Sequence, residues 1–249
     1  MDRLNDKIAA ITGAGSGIGA ACAIDFIKKG LIVIGIGRRE NKLEAVKQSI
    51  PEDLRTKFHI RKCDVQVEKD VQDTFQWISE HFDGIDVLVN CAGVYREGEL
   101  LGKYNIQDHK DSVYTTVMGT TYCVREAFGL MKSGHIFFIT SQFVKENGYI
   151  PYWEDFNDSN MFAGSMHALK AMVETYRQEF REKELSIKTT NISIGVVASD
   201  IRIEDIRTFV AEFPFLEAEN VSDAILFALQ TPPNVEITNI SIKPLGERF

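Results

Sequence analysis

The stretch Thr12-Gly13-Ala14-Gly15-Ser16-Gly17-Ile18-Gly19 lies between an apolar run, Lys7 to Ile11, and an amphipathic run, Ala20 to Lys29. It reads as a turn from a strand into a helix. Glycines there let the backbone turn sharply and approach a ligand closely. The N–H groups opening the next helix, at its positive dipole end, suit a pyrophosphate. The spacing of Gly13, Gly17 and Gly19, G-x-x-x-G-x-G, is a weak signal alone, because glycine-rich turns also join elements for purely structural reasons. A buried-type strand before it, a helix after it and a second strand, Ile32 to Gly37, complete a βαβ unit and favour a dinucleotide cradle.

Working outward, the spacing predicts helix Asn41 to Ile50, strand Lys57 to Lys62, helix Glu68 to His81, strand Asp86 to Asn90 and helix Asp108 to Met131. Strand His135 to Thr140, an aromatic-rich loop, helix Met161 to Lys183, strand Lys188 to Ile194, helix Val221 to Leu229 and strand Ile237 to Ile242 complete the chain. This alternation predicts an α/β fold: a Rossmann-type, doubly wound parallel sheet of about seven strands with helices on both faces. No Pro/Gly/Ser-rich linker or charge block divides residues 1–249, so a single domain is expected.

With 44% hydrophobic against 26% charged residues there is material for a sizeable core. The formal net charge of −8, without a Lys/Arg stripe, argues against nucleic acid as a partner. No apolar run reaches the roughly 20 residues of a membrane span, and the first residues lack the apolar core of a signal peptide, so a cytoplasmic location is expected. Cys22, Cys63, Cys91 and Cys123 form no C-x-x-C pair and read as buried thiols; no grouping has metal-ligand spacing.

The second strand ends at Gly37-Arg38-Arg39. An acid there would accept the adenosine ribose hydroxyls of NAD, whereas arginine pairs with the extra phosphate of NADP. The position therefore predicts NADP(H), with Arg38 ahead of Arg39 as the phosphate ligand; the bland alternative is a solvated charge pair at a helix start.

The chain resembles the short-chain dehydrogenase/reductase superfamily over essentially its full length. Thr12 to Gly19 match its T-G-x-x-x-G-x-G, Asp64-Val65 its adenine contact, and Asn90-Cys91-Ala92-Gly93 its N-x-A-G. The resemblance implies cofactor contacts at Gly13, Gly15, Ser16, Gly17, Ile18, Gly19, Arg38, Arg39, Asp64, Val65, Asn90, Ala92 and Gly93. It implies further cofactor contacts at Gly195, Val197 and Ser199, the last of them near the carboxamide. The ending, Leu226 through Ile242, is similar to a branch of dehydrogenase/reductase member 11-like and insect farnesol dehydrogenase-like proteins.

The family's chemistry is hydride transfer between nicotinamide and an alcohol or carbonyl carbon, with Tyr as acid/base, Lys lowering its pKa and Ser holding the substrate oxygen. A phenol titrating near pKa 10 needs a neighbouring cation to ionise at neutral pH, and Y-x-x-x-K puts both on one helix face. Ser141 resembles the family serine and Lys170 the family lysine, which also implies a contact to the nicotinamide ribose. Met166 then stands at the tyrosine position and Thr116 at that of the helix asparagine, and Ile194-Gly195 replaces the family's P-G. No tyrosine precedes a lysine by four residues.

Two substitutes offer themselves. His167 lies about 100° around the helix from Met166 and reads better as a surface or interface residue. Tyr149 and Tyr152 belong to a loop with Phe143, Trp153, Phe156 and Phe162 whose rings read first as packing, lining an apolar pocket. The resemblance also implies a substrate lid within about 196–219 and a homodimer or homotetramer built on the helix of Ala163, Gly164, Ala168 and Ala171. Two functional readings stay open: an NADP(H)-dependent oxidoreductase of a small apolar alcohol or carbonyl compound, and a catalytically inactive relative that binds NADP(H), a ligand or a partner as a sensor or scaffold.

Overall fold

The apolar run before the glycine turn forms strand β1 (Ile8–Thr12), and the turn leads into α1 (Gly17–Lys28). The computed structural model describes residues 3–96, 100–102, 105–142, 160–198 and 214–246. Next come β2 (Ile32–Gly37), α2 (Glu40–Ser49), a 3-10 turn (Glu52–Lys57), β3 (Phe58–Lys62), α3 (Glu68–His81) and β4 (Val87–Asn90). The second half carries α4 (Ile106–Val113), a π turn (Tyr114–Gly119), α5 (Thr120–Leu130), β5 (Ser133–Ser141), α6 (Asn160–Glu182), β6 (Ser186–Ile194), α7 (Ala218–Leu229) and β7 (Asn239–Ile242).

The strands form one sheet in the order β3-β2-β1-β4-β5-β6-β7, and every pairing is parallel. This is the doubly wound α/β architecture expected from the alternation. The winding reverses between β1 and β4, where Thr12 stands opposite Asn90. Connections leaving in opposite directions there open a crevice beyond the carboxyl ends of the strands.

Two-residue alternation divides the sheet between two apolar layers. On one face Ala9, Ile11, Val33, Phe137 and Ile192 pack with Cys22, Phe26 and Ile27 of α1 and Val221, Ile225 and Leu226 of α7. On the other, Ala10, Ile34, Leu88, Ile136 and Phe138 pack with Val71, Phe75 and Ile78 of α3, Cys123 and Val124 of α5, and Leu169 and Val173 of α6. Strands buried on both faces read as continuous apolar runs, which is why the strand spans were legible.

The long helix expected from Asp108 to Met131 is instead two α-helices joined through one π turn. Threonine hydroxyls compete for helix carbonyls in this region: Thr121 Oγ1 donates to the Val117 carbonyl at 2.8 Å. A β-carbon at Gly119 would come within 2.8 Å of Val65 Cγ2, so glycine is what allows the widened turn to lie against the loop after β3. Apolar periodicity cannot register one inserted residue in a turn.

A buried histidine ties β5 to β6. His135 Nε2 lies 2.7 Å from Thr190 Oγ1, and that hydroxyl itself donates to the Ile237 carbonyl, so the histidine carries its proton on Nε2. Burial, assisted by the Lys188 charge, holds its pKa down to about 3.

Candidate nucleotide-binding and active site

The glycine turn has the conformation its composition calls for. Gly13 and Gly17 have φ of +69° and +50°, in the left-handed region that L side chains avoid. Ser16 caps α1 in extended geometry but its side chain makes no capping bond, so the first-turn N–H groups are left without a side-chain partner. Its Oγ instead accepts from Arg39 Nη2 at 3.2 Å.

Thr12 joins this turn to the strand across the switch point. Its Oγ1 accepts the backbone N–H groups of Cys91 at 3.1 Å and Ala92 at 3.0 Å. The segment after β4 is thereby held against the glycine turn, and a β-carbon on Gly13 would sit 3.0 Å from the Cys91 carbonyl oxygen.

A cleft of about 340 Å³ opens above these strand ends. Gly13, Gly15, Ser16, Gly17, Ile18, Gly19, Arg38, Arg39, Asp64, Val65, Ala92 and Gly93 all line it, so residues spread over eighty positions come together in one wall. Gly37, Cys63, Cys91, Val94, Tyr95, Arg96 and Thr115 complete the described lining and are not among the expected cofactor contacts. Most of them adjoin a recognised motif at a strand end; Thr115 is delivered by the π turn and carried no sequence signal.

Charge in the cleft is distributed unevenly. Arg38 Nη1 lies 3.8 Å from Asp64 Oδ2, and Arg96 reaches Asp108 at 3.5 Å and Asp111 at 3.7 Å. Among the described lining residues three arginines stand against one aspartate, a balance that suits an anionic ligand. The thiols are poor nucleophiles: burial raises Cys63 to about 11, while Cys91 is held well above its ordinary value by its hydrogen bond with Cys22 and by burial.

Other expected site residues are not among the described lining of this cleft. Asn90 is buried at the end of β4, where its Nδ2 donates to the Phe137 carbonyl at 3.3 Å, and it is absent from the cleft lining. Gly195 donates to the Ile242 carbonyl at 2.9 Å, and Val197 is buried and bridges to Leu216. Ser141 is the last residue of β5, paired in register with Ile194. Ser199, the loop tyrosines Tyr149 and Tyr152 and most of the lid lie outside the described residues.

Lys170 is exposed and stands away from the described lining of the cleft. Helix geometry explains the displacement. Each step of four residues turns about 40° past a full circle, so Lys170 is rotated roughly 80° from Phe162 and lies roughly 12 Å farther along α6. It is Phe162, in the first turn of α6, whose ring meets the cleft wall, edge-on to Tyr95 with centroids 5.4 Å apart. Met166 is buried, His167 half-buried, and Thr116 is 1% exposed with no hydrogen-bond partner for Oγ1 among the described residues.

The arrangement fits a dinucleotide: a glycine turn with backbone approach, an uncapped helix start and guanidinium groups at the end of β2. A family model described as short chain dehydrogenase matches residues 7–208. The chain belongs to the short-chain dehydrogenase family. Within the family it is similar to farnesol dehydrogenase of Aedes aegypti, 42% identical with all of both chains covered. It is 29% identical to human dehydrogenase/reductase SDR family member 11, over 98% of this chain and 96% of that one. Among solved structures, an alcohol dehydrogenase from Thermococcus sibiricus complexed with 5-hydroxy-NADP shares the fold at a TM-score of 0.83 and 19% identity, covering 98% and 99% of the two chains. A serine dehydrogenase complexed with NADP+ does so at 0.83 and 23%, covering 97% and 96%. No described helix is long and apolar enough to cross a membrane.

Proposed function

We propose that the protein binds NADP(H) in the cleft and acts as an oxidoreductase on a small apolar alcohol or carbonyl compound. The observation that carries this reading is the convergence of Gly13 to Gly19, Arg38, Arg39 and Asp64 on one wall. The turn at Gly13 to Gly19 would receive the pyrophosphate on backbone N–H groups, and Arg38, oriented by Asp64, would pair with the adenosine phosphate. Arg39, held on Ser16, supports the same end. When bound, the nicotinamide supplies or accepts a hydride at the substrate carbon. The name of the farnesol dehydrogenase relative supports an apolar substrate.

Ser141, at the end of β5, would hold the substrate oxygen. The segment from Val196 to Glu219 would cover the substrate; its described ends are stitched together by Ala198 N–H to the Leu216 carbonyl and Leu216 N–H to the Val196 carbonyl, both 2.8 Å. Two copies would associate through α6, where Gly164 and Ala171 are exposed and permit close approach.

The second reading, nucleotide binding without turnover, is favoured by α6 itself. Met166 carries no transferable proton, and Lys170 is exposed and outside the lining. Titration of the purified protein with NADPH and NADH, followed by addition of apolar carbonyl compounds, separates the two. NADPH binding with oxidation is the expected result; binding without oxidation leaves the second reading, and no binding overturns the nucleotide assignment.

A further inference from the structure

Reducing a carbonyl takes a hydride at carbon and a proton at oxygen, so the oxidoreductase reading requires a donor within hydrogen-bond reach of the substrate. A phenol can supply that proton; a thioether or a phenyl ring cannot. Tyr95 forms part of the cleft wall, two residues after Gly93, and is half-buried. Its ring meets Phe162 with planes inclined at 62°. Met166 follows one turn later on nearly the same side of α6, so the helix presents two apolar side chains near this contact. The phenol of the pair comes from the β4 side. The two thiols of the described wall are hydrogen-bonded, Cys91 with Cys22 and Cys63 with Thr74.

We propose that Tyr95 is the catalytic proton donor, an inference that rests on the oxidoreductase reading. In the reductive direction the carbonyl carbon gains a hydride from NADPH, which is oxidised to NADP+. The electron pair of the C=O π bond moves to oxygen, and that oxygen takes the proton as the Tyr95 O–H bond breaks. The alcohol leaves, and the Tyr95 phenolate recovers a proton from water. In the oxidative direction the same phenolate removes the alcohol proton.

The test compares wild type, Tyr95→Phe and, as a control on an exposed ring, Tyr114→Phe. NADPH affinity is read by nucleotide fluorescence, turnover by NADPH oxidation with apolar aldehydes and ketones, and carbonyl binding by calorimetry with an unreactive apolar carboxamide in the presence of NADP+. Tyr95→Phe is expected to lower turnover about 10²–10⁴-fold and carboxamide affinity about five- to tenfold, with NADPH affinity within threefold of wild type. Tyr114→Phe is expected to match wild type. Wild-type turnover that survives Tyr95→Phe overturns the donor assignment alone, leaving the oxidoreductase reading. Wild type that binds NADPH yet oxidises none overturns both.

Discussion

Gly19 packs directly on Gly13: a β-carbon at Gly19 would come within 2.4 Å of the Gly13 carbonyl oxygen and 2.7 Å of its carbonyl carbon. Both obstacles are backbone, so neither can swing aside. Gly19→Ala is expected to destabilise the fold by about 1–3 kcal/mol through overpacking and to weaken NADPH binding at least tenfold, because the turn must open. Thermal unfolding and nucleotide titration check the two effects separately.

Arg38 supports a claim about nucleotide choice. Arg38→Ala is expected to weaken NADPH binding about ten- to a hundredfold, the loss of a charge-assisted contact, while NADH affinity changes less than threefold. Its pair with Asp64 is half-exposed and 3.8 Å long, so Asp64→Asn should leave thermal stability nearly unchanged. Parallel titrations with both nucleotides decide; equal losses for NADPH and NADH would place the phosphate elsewhere.

Thr116 offers a test with an unusual sign. Its hydroxyl is buried without a partner among the described residues, so folding desolvates that group without a compensating hydrogen bond. Thr116→Val, nearly isosteric, is expected to leave stability unchanged or raise it by up to about 1 kcal/mol. A lowered melting temperature would show that the hydroxyl is satisfied in solution.

The touching rings of Tyr95 and Phe162 allow the phenol to be moved across their contact. In the Tyr95→Phe background, Phe162→Tyr is expected to restore at least a tenth of wild-type turnover. Met166→Tyr, one turn deeper at a buried position, should restore less. Initial rates of NADPH oxidation for the two double variants provide the comparison.

His135 links stability to pH. Its folded pKa is lowered to about 3 by burial, below the ordinary 6.5. Between those values the unfolded chain binds a proton that the folded chain does not. The contribution is full above pH 6.5 and is lost as pH falls toward 3, with a slope of at most about 1.4 kcal/mol per pH unit. Denaturant unfolding from pH 7 to pH 4 should show the decline, and His135→Gln should flatten it by one proton's share.

Much of the fold was legible because strands buried on both faces are written as unbroken apolar runs. β2 and α3 have the expected boundaries, Ile32–Gly37 and Glu68–His81. The glycine turn was legible because glycine is demanded by backbone sterics at Gly13 and Gly19, which leaves a mark in the sequence itself. The π turn was not, since one extra residue per turn barely disturbs apolar periodicity, and with it Thr115 escaped notice.

Sequence alone determined the alternation of strands and helices, the glycine turn and the arginines at the end of β2, because each follows from neighbours along the chain. Tertiary structure decided the rest. Which side chains share the cleft depends on how Tyr95 and Arg96 after β4, Cys63 after β3 and Thr115 in the π turn are brought beside the turn at Gly13. Which residue of α6 meets that wall depends on how the helix is rotated against the sheet. That rotation, set by packing of Leu169 and Val173 into the core, puts Phe162 against Tyr95 and leaves Lys170 exposed. A four-residue spacing fixes which residues neighbour one another on a helix but not where that face points.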